Sequence, residues 1–328
     1  MTNGRLVVIG ASAGGVRALQ TLAAGLSPDF PAPILVVLHV GSHRSILPEL
    51  LTRKGPLPAI HAADGQAIAP GRIHVAPPDH HMLVQDGVLR LTRGPKENHT
   101  RPAVDPLFRT AALSWGARTI GVLLTGHLDD GTAGLQSIKS CGGTVVVQSP
   151  DDAEAPGMPL SALRFVQVDH QVPLASMATL LRSLAASDPV ARVKPSAEIL
   201  HENQIMLGKG DFMEHLKAIG RPSTFVCPDC EGCLWEVNAT TPPRFRCHTG
   251  HAYTLRTLQH AQALGTDDAL WGALRALQEK EMLLRTLAQS ERGNGGEEAD
   301  RLEREAVEVA AQAMTLRGVI ENLPSPPE

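Results

Sequence analysis

Aromatic residues are scarce in this chain: one Tyr, three Trp and six Phe among 328 residues. A hydrophobic core must therefore be built mostly from aliphatic side chains. No apolar run approaches the ~18 residues needed to span a bilayer, so no membrane insertion is expected. The N-terminus lacks a basic segment followed by a long apolar stretch, which predicts no secretion signal and a cytoplasmic location. Neither sign of charge dominates: 30 Lys+Arg against 34 Asp+Glu leaves a formal net charge of −4. That balance argues against a broad nucleic-acid-binding surface, and no nucleic-acid partner is expected. No long internal repeat is present. Cysteine is sparse and uneven, with Cys141 alone and Cys227, Cys230, Cys233 and Cys247 close together. In a cytosolic protein such clustering favours a metal over disulfides.

The length allows about two domains. Residues 1–187 alternate short apolar runs with helical spacing. Strands are expected at Arg5–Ile9, Ile34–His39, Ile73–Ala76, His81–Gln85, Val88–Leu91, Thr119–Leu124, Thr144–Gln148 and Phe165–Val168. Helices are expected at Gly15–Ala24, Ser45–Thr52, Val104–Ser114, Ala133–Ser140 and Leu174–Leu184. The alternation predicts an α/β fold, doubly wound, with a mostly parallel sheet covered by helices on both faces. Ligands of such sheets bind beyond the carboxyl ends of the strands.

Three of those ends carry reactive groups. Gly10-Ala11-Ser12-Ala13-Gly14-Gly15 follows the first strand and opens a helix. The turn lies near the dinucleotide fingerprint but has Ser12 where the second glycine belongs, and no acidic residue follows at the ribose-binding spacing. A nucleophile turn, a phosphate loop and a purely structural turn all remain open on this segment alone. His39 ends the second strand, either as a general base for Ser12 or as a polar strand terminus. An aspartate within Leu128-Asp129-Asp130-Gly131 either orients that histidine or caps the next helix.

The joint pattern is specific. The segment from Leu6 to about Leu184 resembles the catalytic domain of the chemotaxis protein-glutamate methylesterases (CheB). The matching motifs are Gly10 to Gly15, the strand ending in His39, Ala76-Pro77-Pro78-Asp79-His80-His81, Arg101-Pro102-Ala103-Val104-Asp105-Pro106-Leu107-Phe108 and Leu124-Thr125-Gly126-His127-Leu128-Asp129-Asp130-Gly131. Gln148 and Gly157-Met158-Pro159 match two more. The resemblance implies that Ser12 is the nucleophile, His39 the base and Asp130 the orienting carboxylate. It implies hydrolysis of glutamate γ-methyl esters on chemotaxis-type receptors to glutamate and methanol, with deamidation of glutamine as a second reaction. Oxyanion donors are expected among backbone amides near Ser12, at Ala13 and Gly14, and near His127. No cofactor is expected for catalysis.

Two departures stand out. His127-Leu128 replaces Met-Gly, and leucine is strained if that backbone position has positive φ. Ala103 replaces a serine found in many relatives. These departures motivate an alternative, a catalytically weak regulatory scaffold on the same fold. No room for a receiver domain is expected before Leu6, which argues against control by aspartyl phosphorylation within this chain.

Residues 188–222, with Pro189, Pro195, Gly208, Gly210 and Pro222, are read as a linker with short helices. Residues 223–260 are read as a zinc-ribbon-like module. Cys227-x2-Cys230 followed by Cys247-x3-His251 offers three thiolates and an imidazole for tetrahedral zinc, with Cys233 and His248 as nearby spares. This stretch resembles a zinc-ribbon-like tail on some stand-alone methylesterase-domain proteins. A structural zinc with four protein ligands leaves no catalytic position. The ribbon alone also suggests a nucleic-acid-binding protein, which the acidic balance disfavours. Residues 265–323 are read as a helical hairpin around Gly293-Asn294-Gly295-Gly296. Its stripes are Leu302, Ala306, Val309, Ala313, Leu316, Ile320 and Leu323 on one arm, and Leu270, Leu274, Leu277 and Leu284 on the other. Homo-oligomerisation or partner docking through this hairpin is expected, and the Pro324–Pro327 tail ends it.

Overall fold

The computed structural model describes residues 4–41, 43–189, 193–238, 240–292 and 296–323. Residues 293–295 of the helix break and the Pro324–Pro327 tail lie outside the described residues. The chain divides into two compact units, Met1–Leu258 and Gln259–Glu328.

In the first unit, seven parallel strands form one sheet. They are β1 (Leu6–Ala11), β2 (Ile34–Leu38), β3 (Ala59–His61), β4 (Ile73–Val75), β7 (Thr119–Leu123), β8 (Thr144–Gln148) and β9 (His170–Val172). Their order is β3-β4-β2-β1-β7-β8-β9, with every neighbouring pair parallel. β1 and β2 are buried along their whole length, as central strands covered on both faces must be. Alternate residues serve opposite faces. Val7, Ile9 and Val36 pack with Leu19, Leu22, Met177 and Leu181 of α1 (Gly15–Gly25) and α6 (Leu174–Ala186). Leu6, Val8 and Val37 pack with Leu107, Phe108, Leu135 and Ile138 of α3 (Val104–Trp115) and α4 (Thr132–Ser140). Aliphatic side chains dominate both clusters, with Phe30, Phe108 and Trp115 as their aromatic members. α2 (Leu47–Lys54) follows β2 and packs against α1.

Three features differ from the sequence expectation. The expected strand at Phe165–Val168 is instead the end of α5 (Gly157–Phe165) and its exit, and the edge strand β9 lies a few residues later. Met158 and Ala162, one helical turn apart, are buried by α5, which explains why a helix wins there. β5 (His81–Gln85) and β6 (Val88–Thr92) form a separate antiparallel hairpin rather than joining the parallel sheet. Asp86 and Gly87 both have positive φ, 51° and 81°, and two such residues favour a tight hairpin turn. β3, three residues long, was not foreseen.

α7 (Ala197–Met206) and α8 (Phe212–Ile219) occupy the stretch read as a linker with short helices. Ile205, Leu216 and Ile219 form a small core with Phe212 and Trp235. A four-stranded antiparallel sheet follows, ordered β10 (Gly220–Val226), β11 (Cys233–Val237), β12 (Arg244–Cys247) and β13 (Ala252–Thr254). It is joined to the parallel-sheet layers through buried charge. Arg109 of α3 pairs with Glu97 (2.6 Å), Glu97 with Arg246 of β12 (3.0 Å), and Arg246 with Glu202 of α7 (3.3 Å). Arg244 closes on Glu202 at 2.5 Å.

α9 (Leu255–Glu291) starts well before residue 265, where the hairpin was expected to begin. Thr254 Oγ1 accepts from Thr257 N (3.1 Å) and Thr257 Oγ1 accepts from Thr254 N (2.9 Å). This reciprocal pair is a capping box built from two threonines. In the second unit, the remainder of α9 and α10 (Glu297–Glu321) form the helical hairpin. Leu284 and Ala288 meet Leu302, Ala306 and Val309, while Leu274 meets Ala313 and Ile320. Among the described residues, no helix is long and apolar enough to cross a membrane.

Candidate active site

Parallel register brings the first two polar groups together. Ala11 of β1 pairs with Leu38 of β2, so Ser12 and His39 emerge side by side at the carboxyl edge. His39 N donates to Ala11 O at 3.1 Å, which fixes the start of its loop. β7 flanks β1 on the other side, with Gly10 opposite Leu123. The loop after β7 then carries Asp130 back to the imidazole. Ser12 N donates to Thr125 O at 2.9 Å, tying the serine turn to that loop. Gly14 caps α1 with φ 75°. A Cβ there would lie 2.7 Å from Glu154 Cβ, so both backbone and space require glycine.

His39 Nδ1 lies 3.1 Å from Ser12 Oγ, and His39 Nε2 lies 2.7 Å from Asp130 Oδ2. The ring nitrogens therefore have separate partners. With Nε2–H donating to Asp130, the Nδ1 lone pair is free to take the serine proton. Ser12 is partly exposed, whereas Asp130 is buried.

Asp130 is held from several directions. Oδ2 accepts from Val104 N (2.7 Å), and Oδ1 accepts from Asn98 Nδ2 (2.8 Å), Gly131 N (2.9 Å) and Asp105 N (3.2 Å). Burial pushes its carboxyl up, but the hydrogen bond and charge of His39, with Val104 and Asn98 donating, hold it below the usual range. Asp105 moves the other way. Burial, then the Asp130 and Glu97 charges, push its carboxyl well up. Burial also pushes Asp129 up to about 6, against the hydrogen bond from Thr254.

The expected oxyanion donors divide into two groups. Gly126 N is spent on Ala155 O (2.8 Å), as Ser12 N is on Thr125 O. Among the described residues, the N–H groups of Ala13, Gly14 and His127 have no such acceptor. The His127 side chain is exposed, and Leu128 is half-buried with φ 59°. The leucine thus adopts the left-handed backbone in which its side chain is strained. A cleft of about 410 Å³ beside His39 is lined in part by Lys96, His99, Thr100 and Arg101. A larger cavity of about 660 Å³, beside the β5–β6 hairpin, α3 and α7, contains none of Ser12, His39 and Asp130.

The second cluster lies at the antiparallel sheet. One ligand atom each from Cys227, Cys230, Cys247 and His251 falls within 4.8 Å of all the others. Cys230 Sγ and Cys247 Sγ are 3.7 Å apart, and Cys247 Sγ lies 3.5 Å from His251 Nδ1. Tetrahedral zinc with Zn–S bonds of ~2.3 Å sets sulfur–sulfur edges near ~3.8 Å, so these residues fit the ion. Cys233 is exposed and faces the carbonyls of Ser223 and Leu234, and neither it nor His248 belongs to the cluster.

Sequence reasoning gave no role to Asn98, Thr254 or Thr257, all of which touch the Asp129–Asp130 pair directly or through one another. The Thr-x-x-Thr spacing at 254–257 was the available signal, as a capping box.

A family model described as CheB methylesterase matches residues 7–181. A protein-glutamate methylesterase/protein-glutamine glutaminase of Geobacter metallireducens is 40% identical over 185 residues, 55% of this chain and 53% of that protein. A putative protein of the same description from Leptospira interrogans is 38% identical over 184 residues, 54% of this chain and 93% of its own length. The chain thus spans about half the length of the Geobacter relative and nearly all of the Leptospira one. The crystal structure of the Thermotoga maritima CheB methylesterase catalytic domain superposes with a TM-score of 0.54 at 35% identity, covering 56% of this chain and 100% of that one.

Proposed function

This chain belongs to the CheB methylesterase family, and we propose that it is a serine hydrolase cleaving glutamate γ-methyl esters on chemotaxis-type receptors. The observation that carries the reading is the continuous Ser12–His39–Asp130 contact. Ser12 Oγ attacks the ester carbonyl while His39 Nδ1 takes its proton. Asp130 holds the ring and stabilises the imidazolium. N–H groups of Ala13, Gly14 and His127 stabilise the oxyanion. Collapse of the tetrahedral intermediate expels methanol, which takes the proton back from His39. Water then attacks the acyl-Ser12 ester with His39 again as base, releasing glutamate. A glutamine side chain follows the same route with ammonia as leaving group, in line with the double description of the relatives.

In this reading residues 1–187 are the esterase domain, acting in the cytoplasm, and 223–260 the metal module, with 188–222 between them. Cys227, Cys230, Cys247 and His251 hold a structural zinc, which supplies folding energy to the small sheet. The hairpin at 265–323 serves assembly or docking to the receptor or another signalling protein. The test is methanol release from a methylated receptor. Ser12→Ala keeps the fold and abolishes release; full activity in that variant removes the mechanism.

A second reading, the catalytically weak scaffold, rests on Leu128 in a left-handed conformation. It requires slow labelling of Ser12 by an active-site phosphonate and faster turnover in Leu128→Gly. Rapid labelling of the wild-type protein counts against it.

A further inference from the structure

Asp130 is held by more than its own loop. Asn98 Nδ2 donates to Asp130 Oδ1 at 2.8 Å and to Asp105 Oδ2 at 3.0 Å. The amide oxygen is held as well. Asn98 Oδ1 accepts from Thr257 Oγ1 (3.1 Å) and from Thr254 N (3.3 Å). Thr254 ends β13 and Thr257 lies in the first turn of α9. Thr254 Oγ1 also donates to Asp129 Oδ1 at 2.7 Å, on the residue just before Asp130. The main chains are joined as well: Asn98 N donates to Ala252 O (2.7 Å), and Ala252 N donates to Lys96 O (3.2 Å). Asn98, Asp105, Asp129, Asp130, Thr254 and Thr257 are all buried.

Asn98 has φ 53°, a conformation asparagine tolerates better than most residues. It directs the amide between two carboxyl groups. Asn98 joins Gly131 N and Asp105 N on Oδ1 of Asp130, and Oδ2 faces His39. Loss of the amide removes one of the three donors to Oδ1, leaving Gly131 N and Asp105 N, and takes away the donor between Asp105 and Asp130.

We propose that Asn98 is a positioning residue for Asp130, and that Thr254 and Thr257 hold Asn98 in place. The segment leading out of the cysteine cluster then forms part of the esterase site rather than an appendage to it. The inference rests on the reading of Ser12, His39 and Asp130 as the working triad. A competing account is that Thr254 and Thr257 only cap α9. That account predicts lost stability with unchanged turnover per folded site.

The experiment uses the full chain. The end point of fluorophosphonate labelling counts competent Ser12 sites; methanol release and the labelling rate are then expressed per site. Asn98→Ala leaves the α9 cap intact and is expected to lower kcat by about 10-fold or more with KM within about twofold, the scale set by small misplacements of catalytic groups. Thr257→Val is expected to lower kcat by about 3- to 10-fold, and Thr257→Ser, which keeps the hydroxyl, to restore it to within about twofold. Labelling rates should fall and recover in parallel. If Thr257→Val does not fold, Thr254→Val is measured in its place, with the same slowing expected. Wild-type rates per site in Asn98→Ala overturn the proposal. So do a slow Asn98→Ala with a wild-type-like threonine variant, which would confine positioning to Asn98 alone. If the wild-type protein releases no methanol yet is labelled at Ser12, the substrate reading fails and the labelling rates still decide this inference.

Discussion

His39 Nε2 stands 2.7 Å from Asp130 Oδ2, and that single contact selects the tautomer that leaves Nδ1 open toward Ser12. Asp130→Asn keeps the shape but removes the acceptor that defines the tautomer. Oδ1 accepts from Asn98 Nδ2, Gly131 N and Asp105 N, so the amide oxygen takes that place and the amide nitrogen faces His39, donating to Nε2 and leaving the ring proton on Nδ1, where it blocks uptake of the serine proton. We expect kcat to fall by ~10³–10⁴, as loss of the orienting carboxylate does in serine hydrolases generally, with KM little changed. Steady-state kinetics on the methylated receptor checks this. A fall of less than tenfold would remove Asp130 from the mechanism.

Glu202 is buried among three arginines. It sits on α7 and accepts from Arg244 (2.5 Å) and Arg246 (3.3 Å), with Arg109 at 3.6 Å. Burial pushes its carboxyl up, but the Arg244, Arg109 and Arg246 charges hold it at about 2. Glu202→Ala leaves buried guanidinium groups with too few partners, which costs ~3–5 kcal/mol. Removing one side of the exposed Lys280–Glu305 pair (3.1 Å) with Lys280→Ala changes stability by less than ~1 kcal/mol. Denaturant unfolding of the two variants beside the wild-type protein measures the contrast. Equal effects would show that the buried network contributes no more than a surface pair.

The ends of two apolar runs made Ser12 and His39 legible. Continuous burial of β1 and β2 dictates parallel pairing, and pairing alone sets the two residues side by side. Asp130 needed the family pattern, because Asp129 beside it is equally polar and only the tertiary turn separates their roles. Asn98 was not legible. It lies in the polar stretch Lys96–His99 without periodicity, and its partner Thr254 is 156 positions away. The four metal-ligand candidates followed from spacing. Cys233 was harder to exclude, since it is the first residue of β11 and only the sheet geometry turns it away from the cluster. The strand misread at Phe165–Val168 has apolar residues that suit either period; burial of Met158 and Ala162 one turn apart carries the helix to Phe165, and Val166 begins an extended exit toward β9.

Asp129 gives the molecule a pH dependence with a definite sign. Its carboxyl is pushed up to about 6 in the folded chain, first by burial, against ~3.9 in an unfolded one. Between those values the folded state binds the extra proton. The contribution of Asp129 to stability is therefore full below about pH 4 and falls as pH rises toward about 6, by roughly 2–3 kcal/mol. Asp129→Asn cannot lose this proton, so its stability relative to the wild-type protein should rise across that window and level off above it. Denaturant midpoints for both proteins at several pH values test it. A difference that stays flat with pH would mean that Asp129 is ionised throughout.

Removal of metal should reach Ser12. Cys247 N donates to His251 O at 2.9 Å across the turn between β12 and β13. The proposed zinc would hold that turn through both side chains, and β13 runs from it to Thr254 and the Asp129–Asp130 pair. Without the ion, only weak sulfur hydrogen bonds join the three thiols and the imidazole. A strong chelator should lower the melting temperature and slow Ser12 phosphonylation together, and added zinc should restore both. Cys233→Ser, outside the cluster, should alter neither zinc content nor labelling, whereas Cys230→Ser should lower both. Metal analysis, thermal melting and labelling rate on the same samples provide the measurement. A zinc-free protein that melts lower yet labels Ser12 at the wild-type rate would limit the metal to folding the small sheet and cut it off from the esterase site.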